Sequence, residues 1–228
     1  MIVLPRLYPI LDASSFPEAA DLITTAHELA AAGCTLIQYR NKSGNARQML
    51  DHAHELRENF SRPLKVEPKG WSRVLGSHPP NMMRLIMNDR ADLCVAADFD
   101  GVHVGQDDLS PESVRKILSS GKHGPNRWLG VSTHNPEQLR EADLTSAEYL
   151  AIGPVFATSS KENPDPVVGL EGVRRARALT LKPLVAIGGI TRANAASVIE
   201  AGADSVAVIS DLIREPGKSA EEFFGILR

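Results

Sequence analysis

The chain has 228 residues, 43% hydrophobic and 23% charged, enough to bury one large core. That composition excludes a disordered, collagen-like or coiled-coil chain. With 25 Lys plus Arg against 28 Asp plus Glu, the formal net charge of -3 gives no bulk attraction for nucleic acid or an anionic membrane, so any anion must be held by a local basic site.

From the amino terminus, Met1 to Asp12 is a short apolar stretch interrupted by Pro5, Arg6 and Pro9, too brief for a membrane span and without a small-residue cleavage site. Apolar, β-branched runs then alternate with segments of helical period. Strands are predicted at Leu7 to Leu11, Thr35 to Arg40, Arg84 to Asn88, Gly101 to Gly105, Trp128 to Ser132, Tyr149 to Val155, Pro183 to Gly189 and Ser205 to Ser210. Between the first two lies an amphipathic helix over Pro17 to Ala32, with Ala20, Ile23, Ala26, Leu29 and Ala30 on one face, Pro17 in its first turn and Gly33 as its stop. A second helix is expected after the fourth strand, with Ser110 as N-cap and Pro111 at the first helical position, and a third over Thr191 to Ala201. Cys34 and Cys94 fall in apolar runs with no C-x-x-C pair, which makes a reducing, cytoplasmic compartment the default.

Strict strand-helix alternation points to a parallel sheet, and eight units in about 230 residues to a single-domain α/β fold, a (β/α)8 TIM barrel spanning residues 1–228. An open doubly wound sheet is the competitor, disfavoured because no glycine fingerprint follows the first strand. One stretch breaks the rhythm. Ser61 to Met83 carries Pro63, Pro68, Gly70, Gly76, Pro79 and Pro80, and because it enters a strand at its amino end it is expected to decorate the N-terminal face as a surface insertion.

In a barrel the carboxyl ends of the strands build the active site. The second strand ends Gln38-Tyr39-Arg40-Asn41-Lys42, where period two puts Gln38, Arg40 and Lys42 on one side: a salt-bridged strand end or an anion clamp. Asn88-Asp89-Arg90 ends the third strand and Gly101 to Asp108 contains the fourth. Asp89 with Asp108, or with Asp107, makes an open Mg²⁺ site, although a lone Asp is more often a helix cap or a surface charge. His103, between valines, reads as a hydrogen-bonded interior residue. The sixth strand leads into Gly153-Pro154-Val155-Phe156-Ala157-Thr158-Ser159-Ser160-Lys161, a hydroxyl-rich loop long enough to be a lid. Gly188-Gly189 reads either as bare backbone for a phosphate or as a tight turn, and with the end of the eighth strand it suggests a second anion site.

These segments together, with Gly130-Val131-Ser132, Ala186 to Ile190 and Val206 to Ser210, resemble the thiamine phosphate synthase family in the right order over nearly the whole chain. The resemblance implies a (β/α)8 barrel and a transferase that joins 4-amino-2-methyl-5-hydroxymethylpyrimidine diphosphate to a thiazole phosphate or its 2-carboxylate, releasing pyrophosphate. It further implies that Asp89 and Asp108 hold Mg²⁺, that Arg40, Lys42, Asn88, Ser132 and Lys161 grip the diphosphate, that Gln38 addresses the pyrimidine, and that Thr158, Ser160, Gly189, Ile209 and Ser210 receive the thiazole phosphate. Ser160 stands where the family commonly has a second threonine and keeps the hydroxyl; Leu11 stands where a threonine is usual. Two alternatives remain at this point: a thiazole tautomerase of the same superfamily, with His134 as acid/base, and a non-catalytic phosphate-binding barrel. Partners are then small molecules, without nucleic acid or membrane, and a homo-oligomer is left open.

Overall fold

Apolar runs of four to six residues can be strands only if both faces are covered, and in this chain one face looks into a closed interior while the other meets helices. The computed structural model describes residues 2–60, 83–120, 126–158 and 165–228. Within them run β1 (Leu7–Asp12), α1 (Ala19–Ala31), β2 (Leu36–Arg40), α2 (Ala46–Phe60), β3 (Arg84–Asn88), α3 (Ala91–Ala96), β4 (Gly101–Val104), α4 (Pro111–Ser119), β5 (Trp128–Thr133), α5 (Pro136–Asp143), β6 (Tyr149–Ile152), α6 (Gly169–Leu179), β7 (Leu184–Ile187), α7 (Ala195–Glu200), β8 (Ser205–Val208) and α8 (Pro216–Ile226). Each strand pairs in parallel with its sequence neighbours, and β8 closes on β1. The open-sheet competitor is thereby ruled out. The expected insertion lies, apart from Met83, outside the described residues.

The period-two pattern divides the core. Leu7, Ile37, Met87, Val102, Leu129, Leu150 and Val206 face outward and pack with the helices, whereas Tyr8, Ile10, Leu36, Ile86, Tyr149, Ala151, Val185 and Ala207 fill the barrel. Gly33 ends α1 as expected, in a left-handed conformation (φ 106°) with its N–H on Ala30 O at 3.0 Å. At the other end α1 begins two residues after Pro17, because Glu18 is extended and serves as N-cap, and Ala20 is exposed. Ser110 caps α4 with Pro111 following, as the sequence indicates. The helix expected from Thr191 starts only at Ala195, since Asn194 Oδ1 accepts from Thr191 N–H and holds that segment as a turn.

Four strands are shorter than expected at their carboxyl ends, β4 by one residue and three others by two or three. β6 stops before Pro154, which has no N–H for the ladder; β7 stops before Gly188 and Gly189, both at positive φ; β8 stops before Ile209, which leads into a 3-10 turn over Ser210–Leu212. The residues released from the sheet are the ones that line its mouth.

A polar layer crosses the interior. His103, Gly130 and Tyr149 are register neighbours on β4, β5 and β6, and with no side chain at Gly130 the His103 and Tyr149 rings stack, centroids 5.5 Å apart. A Cβ at position 130 would lie 2.1 Å from Tyr149 Cζ and 2.5 Å from His103 Nδ1. Gly130→Ala is therefore expected to destabilise the fold by about 1–3 kcal/mol in urea unfolding. Burial holds the His103 imidazole neutral, with its pKa pushed from 6.5 down to about 4 against the opposing pull of Asp108. Between those values the unfolded chain binds a proton that the folded chain refuses, so stability falls as pH drops from 6.5 towards 4, by roughly 3 kcal/mol in all. Unfolding free energies of the wild type should drop more steeply over that window than those of His103→Gln; parallel slopes would contradict a neutral buried ring.

Candidate active site

The strands' carboxyl ends carry charge wherever water can reach them again. Asp12, the last residue of β1, lies in register beside Arg40, the last of β2, and the two form an ion pair. Asp12 Oδ1 also accepts from Ser14 N–H (3.1 Å) and Ser14 Oγ (2.7 Å), so the carboxylate is fixed on its own loop and in turn fixes Arg40. The strand-two end is therefore salt-bridged at Arg40, and among the described residues that pair engages one of its five N–H donors. Residue order gives Asp12 no such role, because its pairing depends on β1 being the neighbour of β2.

Lys42, exposed beyond β2, pairs with Asp89 just past β3. Asp89 is held with φ at 62°, a left-handed conformation uncommon outside glycine, while its N–H donates to His103 O at 2.7 Å. Asp108 Oδ2 accepts from Gly105 N–H at 2.7 Å, which curls the loop after β4 back so that this carboxyl meets Asp89. Burial, and then the neighbouring Asp89 carboxylate, raise the Asp108 pKa above the usual carboxylate range. Asp107 is exposed, so Asp108 is the member of that pair directed at Asp89. Among the described residues no cluster of three or more His, Cys, Asp or Glu forms a closed metal cage. Two facing carboxylates sharing one lysine are instead short of positive charge, and hard oxygen donors of this number suit a divalent cation that completes its shell with substrate oxygens and water.

Next to them Asn88 is buried, and its Nδ2 has no hydrogen-bond partner among the described residues. A buried N–H left unpaired costs about 1–3 kcal/mol, so its retention points to a ligand oxygen as its missing acceptor. Ser132, on β5, is hydrogen-bonded to His103 Nε2 at 2.8 Å, and Gln106 Nε2 donates to Ser132 O at 2.6 Å. Gln38 is buried, with Nε2 donating to Tyr8 Oη at 3.0 Å. His103 is the interior residue the sequence indicates. His134 is a loop histidine, with Nδ1 2.6 Å from Gly153 O and Nε2 3.4 Å from an Asp165 carboxylate oxygen.

The second group gathers on the loops after β6, β7 and β8. A side chain at Gly189 would place Cβ 2.5 Å from Ala157 O, so bare backbone is required where the β7 loop meets the β6 loop just before Thr158. Arg192 donates to Asp211 through its backbone N–H (2.8 Å) and its guanidinium (3.0 Å), locking the loop that holds Gly189 to the turn that holds Ile209 and Ser210. Nothing along the chain marks Arg192 or Asp211, since only their pairing across two loops gives them a role. Thr158 is half-buried; Ser160 and Lys161 lie outside the described residues.

If the unpaired Asn88 Nδ2 is a cost borne for binding, Asn88→Leu should stabilise the ligand-free protein by about 1 kcal/mol while weakening its hold on a diphosphate. A loss of stability, or unchanged pyrophosphate binding by calorimetry, would contradict that role.

Comparison with known proteins bears on the same residues. A family model described as thiamine monophosphate synthase matches residues 79–212, which contain β3 to β8 and every loop discussed except those after β1 and β2. The chain is 56% identical over 227 residues to a thiamine-phosphate synthase of Koribacter versatilis, covering 98% of this chain and 96% of the relative. With the thiamine-phosphate synthase of Chloroflexus aurantiacus the identity is 38% over 208 residues, 91% of this chain and 85% of that one. A solved thiamine phosphate pyrophosphorylase from Pyrococcus furiosus superposes with a TM-score of 0.77 at 31% identity, over 97% of this chain and 95% of the other. Barrels of many activities share a core, but here the family model matches more than half of the chain and the 56% identity extends over 98% of it, and on that ground the chain belongs to the thiamine monophosphate synthase family.

Proposed function

We propose that the chain is a thiamine-phosphate synthase, a transferase that couples 4-amino-2-methyl-5-hydroxymethylpyrimidine diphosphate to a thiazole phosphate or its 2-carboxylate, giving thiamine monophosphate and pyrophosphate, with carbon dioxide as a further product when the thiazole carries the carboxylate. The observation that carries the reading is the Asp89–Asp108 carboxylate pair beside Lys42 and an Asn88 Nδ2 without a partner among the described residues, a constellation suited to a diphosphate that binds with a divalent cation. A thiazole tautomerase or a simple phosphate sensor has no use for it.

Asp89 and Asp108 would hold Mg²⁺, which would supply neutralisation of the diphosphate charge. Lys42, exposed beyond the end of β2, offers its ammonium to a phosphate oxygen. Arg40, kept in place by Asp12, offers its remaining N–H groups to the same anion, and Asn88 and Ser132 add neutral donors. Gln38 has Nε2 committed to Tyr8 and presents its carbonyl oxygen to the amine of the pyrimidine. Gly189, Ile209, Ser210 and Thr158 receive the thiazole phosphate, and Ser160 and Lys161 complete the β6 loop in the roles that the family resemblance implies. The bond from the pyrimidine methylene to the diphosphate breaks with its electron pair leaving on pyrophosphate; the electron-rich aminopyrimidine spreads the positive charge; the thiazole nitrogen lone pair then forms the new C–N bond. No protein nucleophile is needed, because the demands are leaving-group stabilisation and alignment of two reactants.

No described helix is long and apolar enough to cross a membrane, and Cys34 and Cys94 are buried free thiols, so we place the protein in the cytoplasm. Purified protein given both substrates and Mg²⁺ should form thiamine monophosphate and pyrophosphate, and chelation should stop it. Isomerisation of the thiazole without coupling would select the tautomerase reading, and binding without turnover the sensor. Asp108→Asn should lower turnover at least roughly tenfold, about 1.4 kcal/mol in barrier height; unchanged kinetics would remove the metal role of Asp108.

A further inference from the structure

One continuous hydrogen-bonded chain links Gln38, on one side of the barrel, to Ser132 on the other. Gln38 Nε2 donates to Tyr8 Oη at 3.0 Å, Tyr8 Oη lies 2.9 Å from Tyr149 Oη, Tyr149 Oη lies 3.1 Å from His103 Nδ1, and His103 Nε2 lies 2.8 Å from Ser132 Oγ. All five residues come from different strands, β2, β1, β6, β4 and β5, and apart from half-buried Ser132 every one is buried. Burial keeps both phenols protonated and the imidazole neutral, so each of the three rings has one proton to place.

Counting those protons settles the direction of the chain. Tyr8 accepts from Gln38, and among the described residues Tyr149 Oη is the other group bonded to Tyr8 Oη, so the buried Tyr8 proton goes to Tyr149. Tyr149, accepting there, gives its proton to His103 Nδ1. A neutral imidazole that accepts at Nδ1 carries its proton on Nε2 and donates it to Ser132 Oγ. The Ser132 proton is then left for an acceptor in the mouth. The reverse arrangement would need the Gln38 carbonyl to face Tyr8, and it would spend the Ser132 proton on His103.

We propose that this chain, through the Nε2–H tautomer of His103, sets Ser132 as a hydrogen-bond donor to the substrate diphosphate and makes Tyr8, Tyr149 and His103 positioning residues for coupling. The proposal rests on the diphosphate role of Ser132. Gln38 thereby acquires a second role. A pyrimidine amine donating to Gln38 Oε1 holds the amide with Nε2 on Tyr8, so that recognition of the pyrimidine is transmitted through the barrel to the group that meets its diphosphate. Gly130 is the opening that allows it, since a Cβ there would fall on the Tyr149–His103 contact.

The test combines a spectrum with kinetics on the whole protein. Nitrogen-15 NMR of His103 in the ligand-free protein should show a proton-bearing Nε2 and a bare Nδ1. Tyr149→Phe should lose that fixed tautomer and lower kcat roughly tenfold with the KM for thiazole phosphate unchanged, and Ser132→Ala should do the same to kcat. The double variant should lose no more than roughly threefold beyond either single one, because both changes break one path. A proton on Nδ1, unchanged kcat in Ser132→Ala, or losses that multiply in the double variant would overturn the proposal. If Tyr149→Phe does not fold, Tyr8→Phe, which removes the donor to Tyr149, takes its place in the same measurements. Wild-type protein that makes no thiamine monophosphate overturns the functional reading and with it the role of Ser132; active wild type with the Nδ1–H tautomer overturns the chain's direction alone.

Discussion

Closure of the parallel sheet is the constraint on which the rest depends. With β8 paired to β1 there is no free edge, and every inward side chain sits in a space that excludes water. In such a space a polar group must find a partner or carry a penalty of several kcal/mol. Tyr8, Gln38, His103 and Tyr149 cannot each satisfy themselves locally, because they stand on separate strands and point to one centre. They satisfy one another along one continuous hydrogen-bonded path.

Closure also aims all eight carboxyl ends at one mouth, and there the logic reverses. Charges that the interior would reject are tolerated because solvent reaches them, and they are arranged with a surplus of unmet demand: a left-handed Asp89, an Asp108 made harder to ionise by its neighbour, and an Asn88 amide with an idle N–H. Each of these costs stability in the ligand-free state; on the proposed reading a cation would offset the crowding of the two carboxylates and a ligand oxygen would pair the Asn88 amide. The bulk charge of -3 has no bearing on this local balance.

The loops after β6, β7 and β8 obtain their shape by leaving the sheet early. Pro154 has no donor, Gly188 and Gly189 need positive φ, and the Arg192–Asp211 pair then ties two of these loops together. The same residues that made the strands look longer in sequence are apolar enough to continue them; what removes them from the ladder is backbone conformation, which hydropathy does not report.

Much is legible in the chain alone, since periodicity and punctuation are local properties. Eight strand-helix units, the inward face of β2, the interior place of His103 and a carboxylate pair made by Asp89 with Asp108 or Asp107 all follow from spacing and residue type. What spacing leaves open is which charge answers which: that Asp12 is the counter-ion of Arg40, that Asp108 rather than Asp107 turns to Asp89, and that Asn88 Nδ2 has no partner among the described residues. Those depend on which strands become neighbours and where their loops curl, and so does the path from Gln38 to Ser132, whose five members are scattered from residue 8 to residue 149. Units and polar strand ends are written in residue order, because a side chain's face is set by its immediate neighbours in the chain. The pairings come from the closed barrel, because hydrogen bonds and ion pairs act over a few ångströms between residues that the chain keeps far apart.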